Sequence, residues 1–205
     1  TPNLEVSGGS AANTLAGIAS LGGRAAYIGK VRNDALGETF RRDIRKIGVD
    51  YRTRAATNGP STARCLVIVT PDAQRTMSTY LGVSACLSSE DVDVDAIRAS
   101  QITYLEGYLF DPPEAKKAFF FAAEAAHHAE RQVALSLSDS FCVDRHRAEF
   151  LDLIQGHVDI LFANEEEINA LYGTKSFSDS ISAVRSQCQI AVLTRGARGA
   201  CIVAG

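Results

Sequence analysis

Four apolar, β-rich runs mark the second half of the chain, at residues 102–105, 133–137, 158–162 and 190–193. Their starts lie 31, 25 and 32 residues apart. Helical patterns fill the gaps. Asp111-Pro112-Pro113-Glu114 reads as a helix start, with a cap followed by proline in the first turn. It leads into the Ala/Phe-rich run 115–129. Phe150, Leu153 and Ile154 fall at helical spacing within 147–154, and shorter helices are predicted over 165–172 and 180–187. Strand–helix–strand repetition at this period implies a mainly parallel sheet with helices on both faces, a doubly wound α/β fold.

The first half is organised differently. Ser7-Gly8-Gly9-Ser10-Ala11-Ala12-Asn13 runs into a helix of small residues that ends near Leu21-Gly22-Gly23. A second helix is predicted over 34–47, capped by Asp34, lined by Phe40, Ile44 and Ile47, and ended by Gly48. Residues 63–69 and 76–81 flank Thr70-Pro71-Asp72-Ala73, which predicts a β-hairpin. A hairpin placed before a parallel α/β core suggests a flap.

Composition narrows the function classes. Hydrophobic residues make up 46% of the 205, charged residues 22%, and the net charge is −3. That advertises no basic surface to nucleic acid or to an anionic membrane. No apolar run approaches the roughly 18 residues of a membrane span. The five cysteines (Cys65, Cys86, Cys142, Cys188, Cys201) are scattered and contain no Cys-x-x-Cys. They read as reduced, structural thiols in apolar surroundings of a cytoplasmic protein. Cys142 and His146 are spaced i, i+4, but two ligands do not make a zinc site. The His127-His128 pair reads as a solvated helix end. The P-loop, the G-x-G-x-x-G fingerprint and the G-x-S-x-G elbow are all absent.

In open α/β sheets ligands bind beyond the carboxyl ends of the strands. The four core runs deliver Glu106-Gly107, Ser138-Asp139-Ser140, Asn164-Glu165-Glu166-Glu167 and Thr194-Arg195-Gly196-Ala197-Arg198-Gly199 to that rim. Asn164 and Glu167, three apart at a helix start, face the same side. A carboxylate there suits magnesium held through waters beside phosphate oxygens. A capping box explains the same pair equally. The 194–199 segment offers glycines and two arginines to a nucleotide, or is a turn between strands. At the amino end, Gly8 and Gly9 let a ligand approach the backbone while the following helix aims its free N–H groups at the same spot. Asn13 adds a donor and an acceptor for a polyhydroxylated ligand. The alternative there is a tight turn with small residues packed against a neighbour.

Taken in order, Gly8-Gly9-x-x-x-Asn13, the hairpin within 63–81, Asn164-x-x-Glu167 and the 194–199 segment resemble the ribokinase-like, phosphofructokinase-B type family of carbohydrate and nucleoside kinases. The overall look is nearest to its bacterial adenosine-kinase-like and ribokinase-like members. The resemblance implies a ribokinase-like α/β fold with a small β lid, and transfer of a phosphoryl group from ATP to a primary hydroxyl of a sugar or nucleoside. It implies that Gly8, Gly9, Asn13 and Glu106 hold the substrate, and that Asn164, Thr194, Gly196 and Gly199 lie along the nucleotide. Glu167 would organise magnesium through water. A single domain over 1–205 is expected, with lid elements within about 1–8 and 49–84 and a homodimer formed through the lid.

Two family features are missing from residues 1–205. The Gly-Ala-Gly-Asp motif, with the anion hole and catalytic-base aspartate, is expected after residue 205. The first strand, with its sugar-binding aspartate, is expected before Thr1. The chain is therefore expected to be truncated at both ends and, as it stands, inactive. The alternatives are a catalytically silent ligand-binding module with the same fold, and a nicotinamide oxidoreductase, which the missing glycine fingerprint disfavours.

Overall fold

The structure is a computed structural model and describes residues 4–205. Its contacts divide the chain into two compact units, one running to Asp93 and one spanning Val94–Gly205.

The first unit opens with helix α1 (Ser10–Ser20), followed by β1 (Ala26–Tyr27), α2 (Ala35–Lys46) and β2 (Asp50–Tyr51). β1 and β2 pair in parallel, Ala26 with Asp50 and Tyr27 with Tyr51. Ala12, Val31, Ile44, Val49 and Tyr51 form the core of this unit, with Leu15, Ala19, Tyr27 and Phe40 packed around them. Tyr27, Phe40 and Tyr51 make a three-ring cluster with centroids 5.4–5.9 Å apart. Such contacts contribute beyond area burial alone. Ile47, expected on the buried face of α2, is exposed, because the helix ends one residue earlier and Gly48 turns away at φ +89°.

Asp34 caps α2 as expected, accepting from Gly37 N at 2.9 Å. It also accepts from Thr62 N at 2.9 Å and from Thr62 Oγ1 at 2.7 Å. One carboxylate thus ties the helix start to the chain entering the hairpin. That hairpin is a two-stranded antiparallel ribbon of β3 (Arg64–Val69) and β4 (Arg75–Tyr80), closed by Thr70 to Gln74. Every residue of both strands is exposed. Residues 4–8 form neither helix nor strand, and 1–3 of the expected lid elements lie outside the described residues.

The second unit alternates as the spacing predicts: α3 (Val94–Ala99), β5 (Ile102–Glu106), α4 (Pro113–His128), β6 (Gln132–Ser136), α5 (Ser140–Arg145), α6 (Arg147–His157), β7 (Ile160–Asn164), α7 (Glu165–Tyr172), α8 (Phe177–Val184), β8 (Ile190–Thr194) and β9 (Ala200–Ala204). The sheet order is β5-β6-β7-β8-β9. The first four strands are parallel, and β9 returns antiparallel to β8. Leu105, Leu135, Leu161, Ala191 and Val203 stand in register across the five strands, and all are buried. Burying each large side chain contributes about 1.5–3 kcal/mol, so this row pins the register.

Four local expectations change. Asp111 does not cap α4; Pro112 takes the cap position with no side-chain bond, and Asp111 turns to Arg145 and His146. α8 begins at Phe177 rather than Ser180, because Ser176 accepts from Asp179 N. His127 is not merely solvated: its Nε2 lies 3.0 Å from Asp159. Cys65 and Cys86 are exposed rather than packed in apolar surroundings. Among the described residues no helix is long and apolar enough to cross a membrane.

Candidate functional site

In the first unit the candidate residues gather at the start of α1. Gly9 holds the N-cap position at φ +109°, a conformation that L side chains rarely adopt. Its carbonyl accepts from Asn13 N at 2.8 Å. Apart from the adjoining residues, no described atom lies within 4 Å of where a Cβ would stand on Gly8 or Gly9. Packing therefore does not require the missing side chain at Gly8, and backbone conformation requires it at Gly9. Asn13 is exposed on the first turn. The start of α1 has no side-chain cap, so it presents uncapped N–H groups to solvent. Within α1 only Ala12 is buried, and Gly17 has open space around it. Close packing explains little of the small-residue run.

In the second unit the parallel strands carry the candidate residues to one rim. Register pairs Glu106 with Ser136 and Asn164 with Thr194. Glu106 ends β5. Its carboxylate accepts from Ser138 Oγ and, at 3.1 Å, from the Tyr104 hydroxyl. Ser138 adopts a left-handed backbone at φ +67°, strained for a non-glycine residue. Asp139 caps α5, accepting from Phe141 N and Cys142 N. Asn164 and Glu167 form a reciprocal capping box at the start of α7. The strand-to-strand turn at 194–199 is real: Arg195 N donates to Gly199 O at 2.8 Å, and Gly196 and Gly199 sit at positive φ. Both glycines face open space, and Thr194 is exposed. The two arginines are already engaged. Arg195 pairs with Glu165 at 3.2 Å and stacks over Phe177 at 4.3 Å, and Arg198 pairs with the same Glu165.

The rim is acidic. Burial pushes the Glu167 carboxyl up; the bond from the Asn164 backbone opposes this, and the charges of Asp139, Glu106 and Glu166 reinforce it. Burial, then Asp139, Glu106 and Glu167, push the Tyr108 phenol up as well. A buried carboxylate ringed by like charge is a favourable neighbour for a divalent cation, which offsets the repulsion. The donor set therefore fits magnesium held beside Glu167, and the open glycines of the 194–199 turn leave room for a nucleotide. Sequence reading named Ser138 only as part of a polar strand end. Its bond to Glu106 depends on a left-handed serine, which no local pattern signals.

The pfkB family carbohydrate kinase profile matches residues 4–205. The crystal structure of adenosine kinase from Sinorhizobium meliloti is 50% identical, with a TM-score of 0.95, and the match covers 100% of this chain and 63% of that one. A probable sugar kinase from Rhizobium etli is 48% identical, also with a TM-score of 0.95, over 100% of this chain and 62% of its own. The fructokinase of Escherichia coli is 27% identical over 201 residues, 96% of this chain and 66% of the relative. The chain thus spans slightly less than two thirds of the length of these relatives. Fold, motif order and a match along essentially all of its residues agree: the chain belongs to the pfkB family of carbohydrate kinases.

Proposed function

We propose that this chain supplies substrate- and nucleotide-binding elements for ATP-dependent phosphorylation of a primary hydroxyl, and that a nucleoside, adenosine first, is the acceptor to test. The supporting observation is the 50% identity, over the whole of this chain, with a protein described as adenosine kinase. The fructokinase and sugar kinase relatives keep a free sugar as the competing acceptor.

In this proposal Gly8, Gly9 and Asn13 bind acceptor hydroxyls through uncapped backbone N–H groups and a side-chain amide. Glu106, oriented by Ser138, accepts from a further hydroxyl. Asn164 meets phosphate oxygens, and Thr194, Gly196 and Gly199 line the nucleotide. Glu167 holds magnesium through water. Bound magnesium would neutralise charge on the phosphates; the chain's own contribution is positioning and exclusion of water. No catalytic base is assigned among residues 1–205, so binding is measured before turnover. A homodimer through the β3–β4 ribbon belongs to the same proposal. Of the exposed apolar side chains, Val67, Val69 and Met77 share one face of the ribbon and Leu66 and Ile68 the other, and the Val67 face is the one offered to a second copy. A cytoplasmic setting is consistent with five free cysteines.

Isothermal titration with adenosine, ribose and fructose, each with and without an ATP analogue and magnesium, tests the assignment. Adenosine binding that tightens with the nucleotide is expected. Tighter binding of fructose or ribose would reassign the acceptor, and nucleotide binding with no acceptor would leave a silent nucleotide-binding module. Light scattering of Val67→Lys against the parent chain tests the dimer.

A further inference from the structure

Asp111 stands just before α4, where it would ordinarily cap the helix, yet its carboxylate is turned elsewhere. Its Oδ1 lies 2.7 Å from His146 Nε2 and 3.9 Å from Cys142 Sγ. The other ring nitrogen, Nδ1, lies 3.0 Å from Glu149 Oε2. The imidazole is thus held between two carboxylates, one at each nitrogen. Metal centres commonly use such a frame, an outer carboxylate fixing the ring so that the other nitrogen meets the cation.

We propose that Asp111, Cys142 and His146 form a binding site for a zinc-like divalent transition cation, with Glu149 as the carboxylate that orients His146. The three donor atoms lie within 4.8 Å of one another and come from the loop before α4, from α5 and from the α5–α6 junction. Tetrahedral zinc with sulfur, nitrogen and oxygen ligands places donors roughly 3.5 Å apart, so on loading the 2.7 Å Asp111–His146 contact opens while the wider pairs of the triad draw in. Cys142 is 2% exposed, which shields a metal–sulfur bond from water. Thiolate and imidazole donors select zinc or cobalt over magnesium or calcium.

The cation now in place is Arg145, whose guanidinium pairs with Asp111 at 2.8 Å. Lys116 pairs with Glu149 at 2.5 Å. Two carboxylates and two basic side chains therefore surround the imidazole. Arg145 is half exposed and can swing to solvent at little cost, since exposed ion pairs contribute little to stability. On binding, the Cys142 S–H bond breaks, as does an N–H bond at His146 Nε2, the protons go to solvent, and sulfur and nitrogen donate the freed lone pairs to the cation. No oxidation state changes. The site is independent of the proposed kinase chemistry, so either can fail alone.

The test uses the chain after treatment with a chelator. Titration with cobalt(II) is expected to give a sulfur-to-cobalt charge-transfer band at one equivalent, bleached by zinc. Cys142→Ser should abolish the band and, with His146→Ala, weaken zinc binding at least tenfold by calorimetry. Arg145→Ala should bind as tightly as the parent or tighter. Circular dichroism checks that each variant is folded. The proposal is overturned if the parent chain binds cobalt without the charge-transfer band, or if neither the parent nor Arg145→Ala binds zinc. Parent-like zinc affinity in Cys142→Ser or His146→Ala overturns it as well.

Discussion

Asn164 and Glu167 hold each other across the first turn of α7. Glu167 N donates to Asn164 Oδ1 at 2.8 Å, Asn164 N donates to Glu167 Oε2 at 2.9 Å, and Asn164 Nδ2 donates to Glu167 Oε1 at 2.7 Å. The box makes this carboxylate structural, and the proposal gives it a second role beside magnesium. Burial raises its pKa above the ordinary carboxylate value. A raised carboxylate contributes most to stability when protonated, and that contribution falls as pH rises through the unfolded and then the folded pKa. Glu167→Gln keeps one cap acceptor. It is expected to melt within a few degrees of the parent while losing roughly tenfold, about 1.4 kcal/mol, of the magnesium-dependent affinity for an ATP analogue. Calorimetry with and without magnesium separates the two effects; an unchanged magnesium increment counts against the metal role.

Ser138 orients Glu106 from a left-handed backbone. Ser138→Ala removes the bond and keeps the strain. Acceptor affinity is expected to fall by about 1 kcal/mol, the net worth of one hydrogen bond, with nucleotide affinity unchanged. Equal losses for both ligands would mean that the whole rim had shifted.

Asn13→Ala is expected to weaken acceptor binding by roughly 1–3 kcal/mol, since the ligand's polar groups would lose their partner. Its exposed position on α1 predicts a near-parental melting temperature. Gly9→Ala should instead destabilise the chain, because its φ of +109° is strained for any side chain. Melting curves and calorimetry on the two variants distinguish a binding position from a backbone one.

Asp34 is where acid sensitivity is expected. Burial alone would raise its pKa. The backbone and side-chain bonds from Thr62, the Gly37 N–H and the Arg32 charge outweigh that and hold it below the ordinary value. The stability it adds is present above the unfolded-state pKa and disappears as pH falls through the folded one. Asp34→Ala is expected to cost about 1–2 kcal/mol near neutral pH, as lost caps do. The gap between variant and parent should narrow in acid. Denaturant titrations across the acid range measure it; a gap independent of pH would refute the linkage.

Long periodic signals translated well. The β5–β8 spacing, the Asp34 cap and the 70–73 turn are local or strictly repeating, so residue type alone carried them. What local patterns did not carry was choice of partner. Asp111 followed by two prolines looks like a cap, yet Arg145 and His146, more than thirty residues away, win its carboxylate. Arg195 and Arg198 looked available to phosphate, but Glu165 takes both. The rim residues themselves were legible because strand ends of a parallel sheet converge whatever their side chains. Their mutual orientation was not, since it depends on Ser138 adopting a backbone conformation that serine ordinarily avoids.

Gly107 carries a consequence beyond its own position. A Cβ there would stand 2.5 Å from the Leu137 carbonyl oxygen and 2.6 Å from that of Ser136, so the turns after β5 and β6 touch main chain to main chain. Their spacing is set by peptide atoms that every variant shares. Side chains at 106, 108 and 138 therefore project from a mount fixed by main-chain contact.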